Sequence, residues 1–326
     1  MTIKKAELHV HLEGTIAPNL ALKLAARNKL SIPQGLITAD GSGYYSKDFL
    51  HFLSVYDTLA DLIKTPEDYY DVTYDYLKSC AQEGAIYVEM MYSPDHAEKT
   101  TNATSLENLH AVQQAIDDAE HKHNIIGRIL ITAVRHFGVE SCTSVAKRAE
   151  VETVPAVVGF GLGGDELGYP PRLFEKVFKI AADAGLQCTA HAGEFGSAST
   201  IIDAVDSLNL KRIGHGVQCI TSPEVMDILQ ERKIALEICP SSNIKFNLFT
   251  DLHNHPIQVF YERGMQISIN SDDPPFMNTS IGQEYNRVQS AFGYDNNVMH
   301  NITKMAIESS FADAATKEKL LRQLLA

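Results

Sequence analysis

Two imidazoles placed two residues apart are a common starting point for a metal site. His9 and His11 have this spacing, within Leu8-His9-Val10-His11-Leu12-Glu13-Gly14. Alternate side chains of a strand share a face, so both rings project together. Imidazole suits zinc. Alone the pair is a weak signal, because two histidines on a strand are more often surface or core residues than ligands. Polar groups recur at the ends of later apolar runs: Gly161-Leu162-Gly163-Gly164-Asp165-Glu166, His191-Ala192-Gly193-Glu194, Gly214-His215-Gly216 and Asn270-Ser271-Asp272-Asp273-Pro274. Each of these alone also has a bland reading. A lone histidine at a strand end is usually hydrogen-bonded and structural, and Asp-Asp-Pro is usually an Asx turn before a helix. They gain meaning only if one fold brings them to one face.

The elements that would do so can be read from hydrophobic patterning. A short strand at 6–8 leads into the two histidines. Further strands are expected at 85–92, 127–136, 156–162, 186–191, 212–215, 234–239 and 265–270. The second, Ala-Ile-Tyr-Val-Glu-Met-Met-Tyr, is nearly continuously apolar, as a parallel strand buried on both faces should be. Helical patterns alternate with the strands, among them 17–29, 66–83, 106–121, 171–184 and 223–231. Eight alternations predict one (β/α)8 barrel over residues 1–326, with a helical insertion after strand 1 and a helical C-terminal cap at about 280–326. In such a barrel the C-terminal strand tips meet in one pocket. The apolar helix at 47–62 reads either as core or as a lid over that pocket, with the lid favoured. A doubly wound nucleotide-binding sheet would want a glycine-rich phosphate turn after strand 1, where this chain has His-Leu-Glu-Gly.

Composition narrows the function. The formal charge is −13, from 28 basic and 41 acidic residues, with no basic stripe. That argues against nucleic acid and anionic membranes as partners and favours a small molecule. Five scattered cysteines (Cys80, Cys142, Cys188, Cys219, Cys239) form no CxxC pair and fit reduced core thiols. No run reaches membrane-spanning length and the first residues carry no apolar signal region, so a cytoplasmic protein is expected. No feature of the sequence fixes an oligomeric state.

The four motifs HxHLEG, HAGE, GHG and SDDP, in this order from residue 6 to about 290, resemble the adenosine and adenine deaminases within the metal-dependent amidohydrolases. The resemblance implies a (β/α)8 barrel and one Zn²⁺ per chain. It implies His9, His11, His191 and Asp272 as zinc ligands, and Glu194, His215 and Asp273 as catalytic groups. It also implies that the Gly164 amide meets a purine ring, with His11, Glu13 and Asp273 at the substrate. The physical chemistry agrees: three histidines and a carboxylate leave room for a water whose pKa zinc brings toward neutrality. Strand 4 has no lysine to bridge two metals, so the site reads as mononuclear. The implied reaction is hydrolytic deamination of a 6-aminopurine, with Glu194 protonating N1 and His215 orienting or deprotonating the water.

Two markers bear on the substrate and point in opposite directions. Glu13 stands where adenosine deaminases carry Asp for the ribose, and adenine deaminases commonly carry Glu. Cys239-Pro240-Ser241-Ser242-Asn243 is nearer the CPTSN of bacterial adenosine deaminases than the CPLSN of adenine deaminases. The reading leans to adenosine or 2′-deoxyadenosine, with adenine or another 6-aminopurine as the alternative. Glu13, two residues beyond His11, would face the pocket on a continuing strand and accept a sugar hydroxyl. The remaining candidates read as structural: His96 and His136 near strand tips, His253 and His255 as surface or helix-entry residues, Cys239 as a core thiol, and Asp165 and Glu166 as supports for the Gly164 loop. A different zinc hydrolase on this barrel, or a binding protein that has lost catalysis, are the rivals. HAGE and the missing lysine count against the first, and the presence of Glu194 and His215 against the second.

Overall fold

The computed structural model describes residues 3–325. Eight parallel strands run in sequence order: β1 Lys5–His11, β2 Ala85–Tyr92, β3 Ile126–Val134, β4 Val157–Gly163, β5 Gln187–Ala192, β6 Arg212–His215, β7 Ala235–Ile238 and β8 Ile267–Ile269. Helices separate them, which is what parallel neighbours require. The sheet closes on itself through a parallel bridge between Val10 and Asp272, with His11 N–H donating to the Asp272 carbonyl and Asp272 N–H to that of His9. This is the (β/α)8 barrel expected from the patterning. The bounds of β2–β8 fall within two residues of their expected positions, and β1 runs three residues further than expected, through His11.

Burial explains why the pattern was so clear. Every residue of β2 is buried, and the helices packed outside carry one apolar stripe each. The helix Ser105–His123 shows it well: Leu109, Val112, Ile116 and Ala119 are buried at helical spacing, behind a capping box of Thr104 and Glu107. Three short helices, Pro94–Thr100, Pro240–Lys245 and Pro274–Met277, escape the sequence reading. They are too short for a periodic stripe, and only the proline at their first turn announces them.

The barrel interior is not wholly apolar. Arg212 is fully buried, with Nε 2.5 Å from Glu237 Oε1 and Nη2 2.6 Å from Glu89 Oε2. Its guanidinium lies 3.5 Å above the ring of Phe311, which follows the helix Asn296–Ser309. Phe311 packs with Met91 and Leu130, and its N–H donates to Glu89. The C-terminal segment thus plugs the barrel from one side. The strand tips bearing the chemistry face the other.

Candidate active site

His9 and His11 lie on β1 as the spacing required. His191 ends β5, and Asp272 follows β8. Their ligating atoms all fall within 4.8 Å of one another. His11 Nε2 and His191 Nε2 are 3.2 Å apart, and the Nε2 atoms of His9 and His11 are each 3.5 Å from Asp272 Oδ1. His9 Nε2 is buried and has no hydrogen-bond partner among the described residues. The opposite nitrogens are tied down: His9 Nδ1 donates to Glu237 Oε2 at 2.7 Å, and His191 Nδ1 to the Leu162 carbonyl at 3.0 Å. Fixing Nδ1–H aims each Nε2 lone pair at the centre, the usual support for a metal-binding imidazole.

The electrostatics suit a cation. Burial pushes His11 down to about 4 and His191 well below its usual range, so both imidazoles are neutral donors at pH 7. Burial also works against charge on His9, but Asp272 and Glu237 on either side carry it up to about 10. Burial opposes charge on Asp272, yet His9, His215 and His11 hold it well below the usual carboxylate range. Two carboxylates around three imidazoles thus create a demand for positive charge. These residues fit a divalent metal ion. Cys239, set aside as a core thiol, lies closer than its sequence context suggested, since its Sγ falls in a second group with His9, His215 and Asp272. Burial pushes this thiol well up and its S–H points to the Glu237 carbonyl at 3.7 Å, so it stays protonated and a poor ligand.

Glycines let the motifs converge. A Cβ on Gly14 would lie 1.9 Å from Asp273 Oδ1, so the last residue of HxHLEG makes room for the second aspartate of SDDP. A Cβ on Gly214 would meet His9 Cε1 at 2.8 Å. His215 and Asp272 both adopt left-handed backbone, with φ of 59° and 64°. Such strain in non-glycine residues is typical of functional sites.

One pocket opens on this cluster, lined by His11, His191, Glu194, His215, Asp272, Asp273, Gly163 and Gly164, with His96, His136 and Thr132 on one side. The helix Phe49–Ala60 covers it with Phe49, Phe52, Leu53, Tyr56 and Asp57. Phe49 packs on Phe195 and Phe246 at centroid distances of 4.5 and 5.2 Å. His96 Nε2 reaches Asp57 Oδ1 at 3.0 Å, so this histidine braces the covering helix and stands outside the metal cluster.

Glu194 Oε2 lies 3.6 Å from His215 Nε2. Burial, then Asp272 and Glu166, push the Glu194 carboxyl well up. Burial and Asp272 do the same to Asp273, whose Oδ1 is buried without a hydrogen-bond partner among the described residues. In both, burial favours the neutral acid, the form able to donate a hydrogen bond.

Three sequence expectations need correction. Glu13 does not continue the strand. It starts a 3₁₀ turn, Glu13–Thr15, and is only 1% exposed. Its carboxylate accepts from Tyr69 Oη at 3.1 Å, Tyr56 Oη at 3.3 Å and Ser93 N–H at 3.2 Å. Tyr56 and Ser93 line the pocket and Glu13 sits behind them. Ser241 does not line it either: its hydroxyl accepts from Arg287 Nη1 at 2.8 Å. His255, read as a surface residue, is 3% exposed. Ile257 N–H donates to His255 Nδ1 at 3.3 Å, so His255 Nε2–H donates to Asn243 Oδ1 at 3.1 Å. The Asn243 amide then donates to His215 Nδ1 at 3.2 Å. Because the backbone N–H can only donate, the polarity of the whole chain is set, and neutral His215 carries its proton on Nε2. Burial holds His215 down at about 3, so it is neutral. His253 is exposed, as expected.

A (β/α)8 barrel with a buried three-histidine, one-aspartate cluster beside two buried carboxyl groups is the frame of the metal-dependent hydrolases. The family model described as adenosine deaminase matches residues 4–326, and the chain belongs to that family. It is a hydrolytic deaminase acting on purine C–N bonds. It is 39% identical to an adenine deaminase of Sinorhizobium fredii over 322 residues, covering 99% of this chain and 98% of that protein. The crystal structure of an adenine deaminase from Arthrobacter aurescens matches with a TM-score of 0.92 at 29% identity, covering 98% of each chain. A zinc-bound amidohydrolase from Burkholderia ambifaria shares the fold, with a TM-score of 0.90 at 24% identity over 99% of this chain and 90% of that one.

Proposed function

We propose that the protein converts adenine to hypoxanthine and ammonia, using one zinc ion held by His9, His11, His191 and Asp272. The observation that carries the choice of base over nucleoside is the state of Glu13. Its carboxylate is buried behind Tyr56 and Ser93, which line the pocket and stand between it and a ribose hydroxyl. The hydroxyl of Ser241, the marker that favoured adenosine, is engaged with Arg287. The full-length relative named adenine deaminase supports the same reading and reverses the sequence-based preference for the nucleoside.

Zinc in this position supplies a water acidic enough to lose a proton near neutral pH. The chain's own residues do the rest. Glu194, kept protonated by burial, delivers its proton to ring N1 and makes C6 electrophilic. Asp273 donates to N7, and the Gly164 amide meets the ring edge. His215 presents Nε2–H and steadies the oxygen adding to C6. The Glu194 carboxylate, having given its proton to N1, takes back one that the water sheds, and the remaining hydroxyl proton leaves with the amino group as ammonia. Phe49, Phe52 and Phe246 exclude water from the ring. The five unpaired, buried cysteines support assignment to the cytoplasm.

The test is kcat/KM of the zinc-loaded protein on adenine and adenosine. Adenine is expected to lead by about 10²-fold or more, the discrimination available when a pocket lacks partners for a polar group. A preference for adenosine overturns the assignment.

A further inference from the structure

Glu166 follows β4 and reads from the sequence as a support for the Gly164 loop, but its carboxylate serves the loop after β5 instead. It is 4% exposed. Its carboxylate accepts four successive backbone N–H groups, from Gly193, Glu194 (3.1 Å), Phe195 (3.0 Å) and Gly196 (3.1 Å). These are the residues of the loop after β5 that carries Glu194. Successive amides converging on one anion form a nest, here made possible by Gly193 at φ 68°. Arg135 is fully buried and donates from Nη2 to the His191 carbonyl at 2.6 Å and from Nη1 to that of Tyr169 at 3.2 Å. The segment from the metal-site histidine to Gly196 is thus clamped by a cation at its start and an anion along its turn. Asp165, by contrast, serves only its own loop, accepting from Leu167 and Gly168 N–H at 3.1 Å each.

We propose that Glu166 is a positioning residue for Glu194: by seating its carboxylate in the amides of residues 193–196, it fixes the loop so that the Glu194 carboxyl faces the reacting ring. This rests on Glu194 being the proton donor of the deamination. Glu194 reaches the pocket from a short loop with glycine on both sides, at Gly193 and Gly196. Without an external anchor that backbone has several conformations open to it, and misplacing a reacting group by about 1 Å costs on the order of 10²-fold. Glu166 supplies the anchor from a neighbouring strand end. Gly196 is shaped for it, since a Cβ there would lie 2.5 Å from Glu166 Oε1.

The primary variant is Glu166→Gln, which turns one acceptor oxygen into a donor facing the amides. In the zinc-loaded protein we expect kcat on adenine to fall by roughly 10- to 100-fold, with KM within about threefold and zinc content and melting temperature near wild type. Hypoxanthine affinity of Glu166→Gln, Glu194→Gln and the double variant gives a cycle that a merely structural role would not satisfy. Positioning predicts that the double variant binds no more weakly than Glu194→Gln alone. Additive losses, an unchanged kcat, or a kcat loss that follows lost zinc overturns the proposal. Should Glu166→Gln fail to fold, Gly196→Ala pushes the carboxylate out from the loop side and must show the same kcat loss with KM retained; a normal kcat there overturns it equally. If the wild type deaminates another 6-aminopurine and not adenine, the functional assignment fails. The same variants then test Glu166 with that substrate and its 6-oxo product.

Discussion

Burial favours the neutral form of two carboxyl groups in this pocket, Glu194 and Asp273, and Glu194 is the one proposed to give its proton away. Glu194→Gln keeps the shape and the hydrogen bonding but has no proton to give. We expect kcat to fall by about 10²-fold or more, the scale for a general acid, with zinc still bound by metal analysis. A near-normal rate would mean that another group protonates the ring. At this scale the sequence spoke unevenly. His9, His11, His191 and Asp272 were legible because each sits at a strand tip, where strand geometry decides direction. Glu13 was misjudged because the strand ends at His11 and a 3₁₀ turn rotates its side chain behind Tyr56. His255 and Glu166 were undervalued because their partners lie 12 and about 30 residues away, and no local pattern marks such a pairing.

The elements were far more legible than these contacts. Parallel strands buried on both faces read as apolar runs, and their spacing by amphipathic helices leaves few alternative folds. Within them sits one costly residue. Glu7 on β1 is fully buried and accepts from Tyr76 Oη at 2.5 Å and from Ser271 N–H and Oγ at 2.8 and 2.6 Å. Burial outweighs these bonds and raises it from the usual 4.5 to about 7. The folded chain therefore binds this proton more tightly than the unfolded chain. Its contribution to stability is full below about pH 4.5 and is lost as pH rises through about 7. The shift corresponds to about 3 kcal/mol. Glu7→Gln cannot ionise, so its unfolding free energy should lack this decline between those limits. Denaturant titrations of both proteins across that range decide it, and parallel curves would exclude Glu7 as the source.

For the molecule as a whole, the metal should be as much a stabiliser as a reagent. An ion that binds the native chain and not the unfolded one raises stability by an amount set by its concentration and affinity. We expect about one zinc per chain, and chelation should abolish activity and lower the melting temperature together. Two tightly held ions per chain would contradict the mononuclear site. The paired loss would also fail to appear if the imidazoles merely formed a neutral core cluster.

The bridge between Val10 and Asp272 gives that stabilisation a location. The barrel is a strip whose two edges meet at a seam, and β8, only three residues long, is a thin edge to join. The backbone bonds across the seam belong to His9, His11 and Asp272, the same residues whose side chains surround the metal position. An ion there acts as a fastener, stitching the first strand to the last across more than 250 residues of chain. Such a distant pairing is entropically the slowest to form. Hydrogen exchange can follow it: loading zinc should slow the amides of His11 and Asp272 far more than those of the β3–β4 ladder, and uniform protection around the barrel would show that the seam is held without it.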